Sequence, residues 1–250
     1  LPFNKRLENP IVSNDYKTCY LYNDILQTNK LSKLISNFIY MEKDDKTKKE
    51  IPIFPRYHQL DCVNLLLADC EPRRNYLIQH SAGSGKTKTI AWLAHGLINK
   101  FNALDERVYD MVIVVSDRRV IDKQLQDQVK AIEKVKGIVD VIDKDSKQLA
   151  ESLKTGSNIV VTTLHKFPFI LEEVRDMANR KYAVIIDEAH SSQTGTMARK
   201  MKQALTTNSL EEAEILDDLQ DEVEEELLRE IESFRNLDNI SFFAFTATPK

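Results

Sequence analysis

His-Ser-Ala-Gly-Ser-Gly-Lys-Thr at 80–87 and Asp-Glu-Ala-His at 187–190 are the two stretches whose residue types and spacing could do chemistry on a phosphate. In the first, Gly83 and Gly85 let the backbone curl and approach a ligand closely. The N–H groups of Ser81, Ala82, Gly83, Ser84, Gly85, Lys86 and Thr87 can then converge on phosphate oxygens. Lys86 can reach the β- and γ-phosphates, and the Thr87 hydroxyl is placed to ligate Mg²⁺. The usual pattern G-x-x-x-x-G-K-[ST] puts glycine where this chain has His80. That change lies at the mouth and removes no phosphate-contacting group. In the second stretch, Asp187 can hold Mg²⁺ directly or through water, while Glu188 can orient and deprotonate the water that attacks the γ-phosphate. Taken singly, each has a bland alternative: a Gly-Ser turn before a lysine, or an acidic helix cap.

Both stretches need elements that bring them together. Residues 75–79 read as a short buried strand, and Ile90, Leu93, Ala94, Leu97, Ile98 and Phe101 recur at helical spacing, so the loop joins a strand to a helix over 87–101. Asp187 and Glu188 follow the apolar strand 182–186. Adjacent carboxylates are costly in a core, so they belong at the carboxyl edge of a sheet, where open α/β sheets bind ligands. Between and around them the pattern alternates. Helices are expected over about 56–70, 118–134, 146–154 and 167–179, and strands at 111–115, near 138–142 and at 158–162. Continuous β-branched runs between helices predict an α/β fold with a parallel sheet covered on both faces.

Residues 1–51 are polar and Asn- and Lys-rich, with one apolar helical pattern at 31–40, and are expected to form a lead-in and linker; the main domain is expected over 52–250. Asp44-Asp45-Lys46 fits the loose ending of a nuclease signature, but it lies in a charged stretch with no strand expected before it and is set aside. The net charge of −4 is unevenly spread: residues 211–232 hold twelve acidic and one basic side chain, leaving +7 on the remainder. Ile215, Leu216, Leu219, Val223, Leu227, Leu228 and Ile231 recur there at helical spacing, so an acidic helical insertion is expected at about 209–236. No apolar run is long enough for a membrane span, and the odd set Cys19, Cys62 and Cys70 lacks zinc or disulfide spacing. A cytoplasmic protein without membrane contact is expected.

Arg56-Tyr57-His58-Gln59, the loop at 80–87, Val-Ser-Asp-Arg-Arg at 115–119, Val-Thr-Thr at 161–163, DEAH at 187–190 and Thr246-Ala-Thr-Pro249 occur in the order of the motifs of superfamily 2 helicases. The chain resembles the first RecA-like domain of that superfamily. Arg-Tyr-His-Gln, Ile78 to Lys86, Ile90 to His95 and Asp187 to Gly195 make it similar, more narrowly, to the restriction (R) subunit of type I restriction-modification enzymes. The resemblance implies a P-loop NTPase fold, with the strand at 242–246 between those at 75–79 and 182–186. It implies an ATP- and Mg²⁺-dependent DNA translocase supporting cleavage by a larger complex. Arg56 and Gln59 correspond to an adenine-reading motif, Lys86 and Thr87 to phosphate and Mg²⁺ residues, and Asp187 and Glu188 to metal and water residues. Arg118, Arg119, Thr162 and Thr163 correspond to nucleic-acid backbone contacts, and Thr246 and Thr248 to a motif coupling hydrolysis to domain movement.

The implied partners are double-stranded DNA, the modification (methyltransferase) and specificity subunits, and two further domains of the same subunit. A nuclease is expected to precede residue 1, and a second RecA-like domain with an arginine finger to follow Lys250. The alternatives are a nucleotide-binding interaction module of a larger assembly, or another superfamily 2 DNA helicase. If Arg118 and Arg119 neutralise phosphates, replacing both with alanine in the complete subunit should flatten the slope of log DNA affinity against log salt by up to about two units. An unchanged slope in a salt titration would make them ordinary loop residues.

Overall fold

A computed structural model describes residues 16–44, 47–72, 74–81, 83–116, 123–133, 137–141, 158–163, 180–187 and 239–246. Its strands are β1 (Tyr40–Lys43), β2 (Glu50–Ile53), β3 (Tyr76–Gln79), β4 (Met111–Ser116), β5 (Val139–Val141), β6 (Ile159–Thr163), β7 (Tyr182–Ile186) and β8 (Ile240–Thr246). Its α-helices are α1 (Thr28–Asn37), α2 (Tyr57–Asp69), α3 (Lys86–Ile98) and α4 (Lys123–Ala131).

Runs such as Met-Val-Ile-Val-Val and Tyr-Ala-Val-Ile-Ile have no polar face to offer water, and every residue of β4, β6 and β7 is buried. Among the described residues, β3 to β8 form one parallel sheet in the order β3-β8-β7-β4-β6-β5. The strand expected over 242–246 starts two residues earlier and lies, as expected, between the loop strand and the strand before Asp187. Helix α3 runs across this sheet with Ile90 to His95, Leu97 and Ile98 buried, because α1, α2 and α4 surround its other sides. His95 Nε2 donates to the Val129 carbonyl oxygen at 2.8 Å, tying α3 to α4.

Three expectations change. The helical pattern at 31–40 yields α1 three residues earlier, and its last residues leave the helix with Phe38 and Tyr40 buried, Tyr40 opening β1. The helix expected to reach Phe101 stops at Ile98. Beyond it, the Asn102 side-chain oxygen accepts from the Leu104 and Glu106 N–H groups, a local turn that competes with helix and leaves Phe101 46% exposed. Third, a strand does precede Asp44: β1 pairs antiparallel with β2 as a hairpin. Asp44 Oδ1 accepts from Thr47 N at 2.6 Å and Thr47 Oγ1 at 2.8 Å, so the carboxylate closes the turn. Asp45 and Lys46 lie outside the described residues, as do residues 1–15, the helices expected near 146–154 and 167–179, and the acidic insertion.

The hairpin and its approach dock on α3 and α4. Trp92 Nε1 donates to the Phe38 carbonyl oxygen at 2.9 Å, with the Phe38 and Tyr40 rings each 6.1 Å from it. Tyr40 donates to Gln128 Oε1 at 2.7 Å, and Glu42 receives Lys88 at 2.6 Å as well as Gln128 Nε2. Burial pushes the Glu42 carboxyl up, but Lys88 and Gln128 outweigh it and hold it below the ordinary carboxylate range. Among the described residues no helix is long and apolar enough to cross a membrane. Trp92→Ala should cost about 3–5 kcal/mol. Trp92→Phe, which keeps most of the ring but orphans the Phe38 carbonyl, should cost about 1–3 kcal/mol. Urea denaturation checks both, and a Trp92→Phe variant as stable as wild type would remove the hydrogen bond from the account.

Candidate nucleotide site

Strand β3 ends at Gln79 and α3 begins at Lys86, so the loop between them opens at the carboxyl edge of the sheet, the edge at which β7 delivers Asp187. Gly85 is the N-cap of α3 with φ +90° and ψ +33°, and Gly83 has φ +73°. Left-handed backbone at both places turns the chain back on itself, a conformation that costs other L-residues about 1–2 kcal/mol. Gly85 also yields space: a Cβ there would lie 2.5 Å from Gln59 Nε2.

Gln59 is 3% exposed, and both ends of its amide are engaged. Oε1 accepts from Arg56 N at 2.8 Å, half of a capping box at the start of α2, and Nε2 donates to the Gly85 carbonyl oxygen at 2.9 Å. The amide expected to read adenine therefore braces the loop from beneath. Arg56 is exposed at the same helix start. His58 Nε2 donates to the Ser84 carbonyl oxygen at 3.0 Å, a second tie from α2 to the loop.

Lys86 Nζ lies 3.0 Å from Asp187 Oδ1, with the two side chains 14% and 16% exposed. The lysine of the loop and the aspartate of the DEAH box, a hundred residues apart, thus meet. Asp187 N donates to the Val115 carbonyl oxygen at 2.9 Å, which fixes where β7 ends. Thr87 follows in the first turn of α3. An aliphatic hydroxyl and a carboxylate are hard oxygen donors, the set that suits Mg²⁺. On the other side, the Thr246 carbonyl oxygen accepts from His80 N at 2.7 Å, so the last residue of β8 touches the mouth of the loop.

The expected nucleic-acid contacts fare differently. Thr162 and Thr163 end β6 beside Val115 and Ser116 and are 0% and 4% exposed, so neither hydroxyl lies on an open surface for a phosphate. They end a fully buried strand, and Thr162 Oγ1 has no hydrogen-bond partner. Ala82, Arg118, Arg119, Glu188 and Thr248 lie outside the described residues. Sequence reasoning missed His58 and Thr89. The available signal for Thr89 is a hydroxyl at the start of the apolar run Ile-Ala-Trp-Leu-Ala, four residues after Gly85.

The two loop glycines separate backbone strain from contact. Gly83→Ala meets nothing within 4 Å and should cost only the left-handed backbone, about 1–2 kcal/mol. Gly85→Ala must in addition displace the Gln59 amide, so it should melt lower and bind a fluorescent ATP analogue less well. Equal melting temperatures and affinities for the two variants would show that Gln59 does not hold the loop.

A family model described as SWI2/SNF2 ATPase matches residues 58–210, more than half of the chain. The chain is 26% identical over 202 residues to a putative type I restriction enzyme endonuclease subunit of Methanocaldococcus jannaschii, covering 70% of this chain and 19% of that protein. It is 27% identical over 178 residues to a type I restriction enzyme endonuclease subunit of Staphylococcus aureus, covering 69% of this chain and 18% of that protein. It therefore spans less than a fifth of the length of these curated relatives. Among solved structures it is similar to the UvsW helicase from bacteriophage T4, with a TM-score of 0.51 and 14% identity over 89% of this chain and 61% of that one, a likeness of fold. The parallel sheet, the phosphate loop at its carboxyl edge and the aspartate that meets the loop lysine agree with the matched segment: the chain belongs to the SWI2/SNF2 ATPase family.

Proposed function

We propose that the chain is the ATP-binding and ATP-hydrolysing motor domain of the DNA-translocating R subunit of a type I restriction enzyme. The observation that carries the reading is the Lys86–Asp187 ion pair, which puts a phosphate-binding cation and a metal-binding carboxylate on one spot at a helix N-terminus. The backbone N–H groups from Gly83 to Thr87 receive the phosphate oxygens, and Lys86 exchanges its carboxylate partner for the β- and γ-phosphates. Thr87 and Asp187 would hold Mg²⁺, which would supply neutralising charge to the phosphates. Glu188 takes the proton from the attacking water. Gln59 acts through Gly85, by keeping the loop in shape, and Arg56 at the exposed start of α2 remains available to the base.

Translocation is the less direct part of the reading, and the relatives named as type I restriction enzyme endonuclease subunits support it. Arg118 and Arg119 would bear on the phosphates of double-stranded DNA, Thr246 and Thr248 on the movement that follows hydrolysis. The domains are then a lead-in over 1–51 and the motor over 52–250, acting with a nuclease domain, a second RecA-like domain and the modification and specificity subunits. An arginine from that second domain would complete the charge neutralisation, a contribution typically worth about 10³–10⁵ in rate.

Lys86→Ala in the complete subunit should lower ATP turnover by about 10²-fold or more, because it removes a fixed charge facing the transferring phosphoryl group. Wild-type turnover should rise with added duplex DNA in the complete subunit and barely rise in residues 1–250 alone. A folded Lys86→Ala variant with wild-type turnover would sink the loop assignment. A complete subunit indifferent to DNA would reduce the reading to a nucleotide-binding module.

A further inference from the structure

His80 stands where the usual phosphate loop has glycine, and none of the roles assigned above uses its side chain. It is nevertheless 6% exposed, in a loop whose neighbours Ser81 and Gly83 are exposed. A buried imidazole costs free energy unless both ring nitrogens find partners. Both do. His80 Nδ1 faces Ser84 Oγ, and Nε2 lies 3.3 Å from Thr89 Oγ1 in the first turns of α3. Ser84 Oγ donates to the Ser81 carbonyl oxygen, so it receives its own hydrogen bond from His80 Nδ1–H. The remaining ring nitrogen, Nε2, then carries a lone pair and is one of two acceptors that share the single Thr89 hydroxyl proton at 3.3 Å, the other being the Gly85 carbonyl oxygen. From Thr89, which serves both Nε2 and the Gly85 carbonyl, donors and acceptors run through the imidazole to Ser84 and Ser81.

We propose that His80 is a positioning residue of the phosphate loop, a post around which the turn at Ser81–Ser84 and the start of α3 are held in fixed register for the nucleotide. The ring sits 5.5 Å from His58 and 6.2 Å from Phe245, and its backbone N–H holds Thr246, so the post is itself fixed from α2 and β8. Burial, followed by the nearby His58 and Lys86, holds the imidazole below the ordinary histidine range, in keeping with the one-way chain that a neutral ring requires. The inference rests on the nucleotide-site reading of the loop and adds to it a residue that touches no substrate.

The test measures Mg–ATPγS affinity, ATP KM and kcat, and melting temperature in the complete subunit for wild type, His80→Ala, His80→Asn, Ser84→Ala and the His80→Ala/Ser84→Ala pair. His80→Ala should weaken nucleotide affinity and raise KM about tenfold, with a smaller change in kcat. His80→Asn, whose amide N–H reaches the place of Nδ1, should recover most of that loss while Ser84 is present. The double variant should be little worse than His80→Ala, because both break one chain. His80→Ala with wild-type affinity and KM would overturn the proposal. Equal loss of affinity and melting temperature in His80→Ala and His80→Asn would also overturn it, leaving a ring that only fills space. Wild type that binds no Mg–ATPγS would overturn the nucleotide-site reading and the post together, whereas wild-type binding with indifferent His80 variants overturns the post alone.

Discussion

A lysine ammonium and an aspartate carboxylate 3.0 Å apart, each more than four-fifths buried, tolerate little error in the backbone that carries them. Desolvation of two charges is repaid only when their geometry is good. Lys86 is placed by the turn at Gly85 and Asp187 by the last pairing of β7 with β4. β8 lies between β3 and β7 and sets their stagger, Gln79 at the end of β3 lying opposite Thr246 and Ile186 at the end of β7 opposite Ala244. The strand order, the left-handed glycine and the burial of Gln59 beneath it are three aspects of one demand on geometry.

That demand explains what the amino-acid order discloses. Runs such as Val-Ile-Val-Val and Ala-Val-Ile-Ile have one stable environment, a sheet covered on both faces, so β4, β6 and β7 are legible to within a residue. Gly-Lys-Thr after a strand and Asp-Glu after another are equally legible, because few backbones need those residues there. The role of Gln59 is not. An amide has the same donor and acceptor whether it faces a base or a carbonyl, and only the closeness of α2 to Gly85 discloses its bond to the loop. The place of Phe101 is not legible either, because apolar spacing says nothing of Asn102, whose side chain holds a local turn beyond the end of α3. The hairpin at 40–53 is not legible as paired strands because each strand is four residues long and the anchors Trp92, Lys88 and Gln128 lie far away in sequence.

Helix α3 is consequently both the wall of the nucleotide site and the anchor of the segment that precedes the main sheet. Its first turn meets the phosphate loop, Lys88 holds Glu42, Trp92 holds Phe38 and His95 holds α4. With neighbours on every side, the helix has little freedom to shift without moving them. A displacement of the loop is passed to the hairpin and to α4 as a rigid-body motion of packed elements, not absorbed locally.

The place of β8 has a consequence for how the molecule comes into being. Among the described strands, β3 pairs with β8 alone, Tyr76 lying opposite Phe243, so the strand that carries the phosphate loop lacks this neighbour until residues 240–246 have been made. At about 5–20 residues per second on a ribosome, the intervening stretch takes on the order of ten to thirty seconds to emerge. Through that interval β4, β6 and β7 can assemble with one another, while β3 and its loop wait with an open edge beside them. Closing so long a loop is a slow, late step. The loop at 80–85 thus takes its final shape only when the arrival of Phe245 and Thr246 supplies the ring and the carbonyl against which His80 rests.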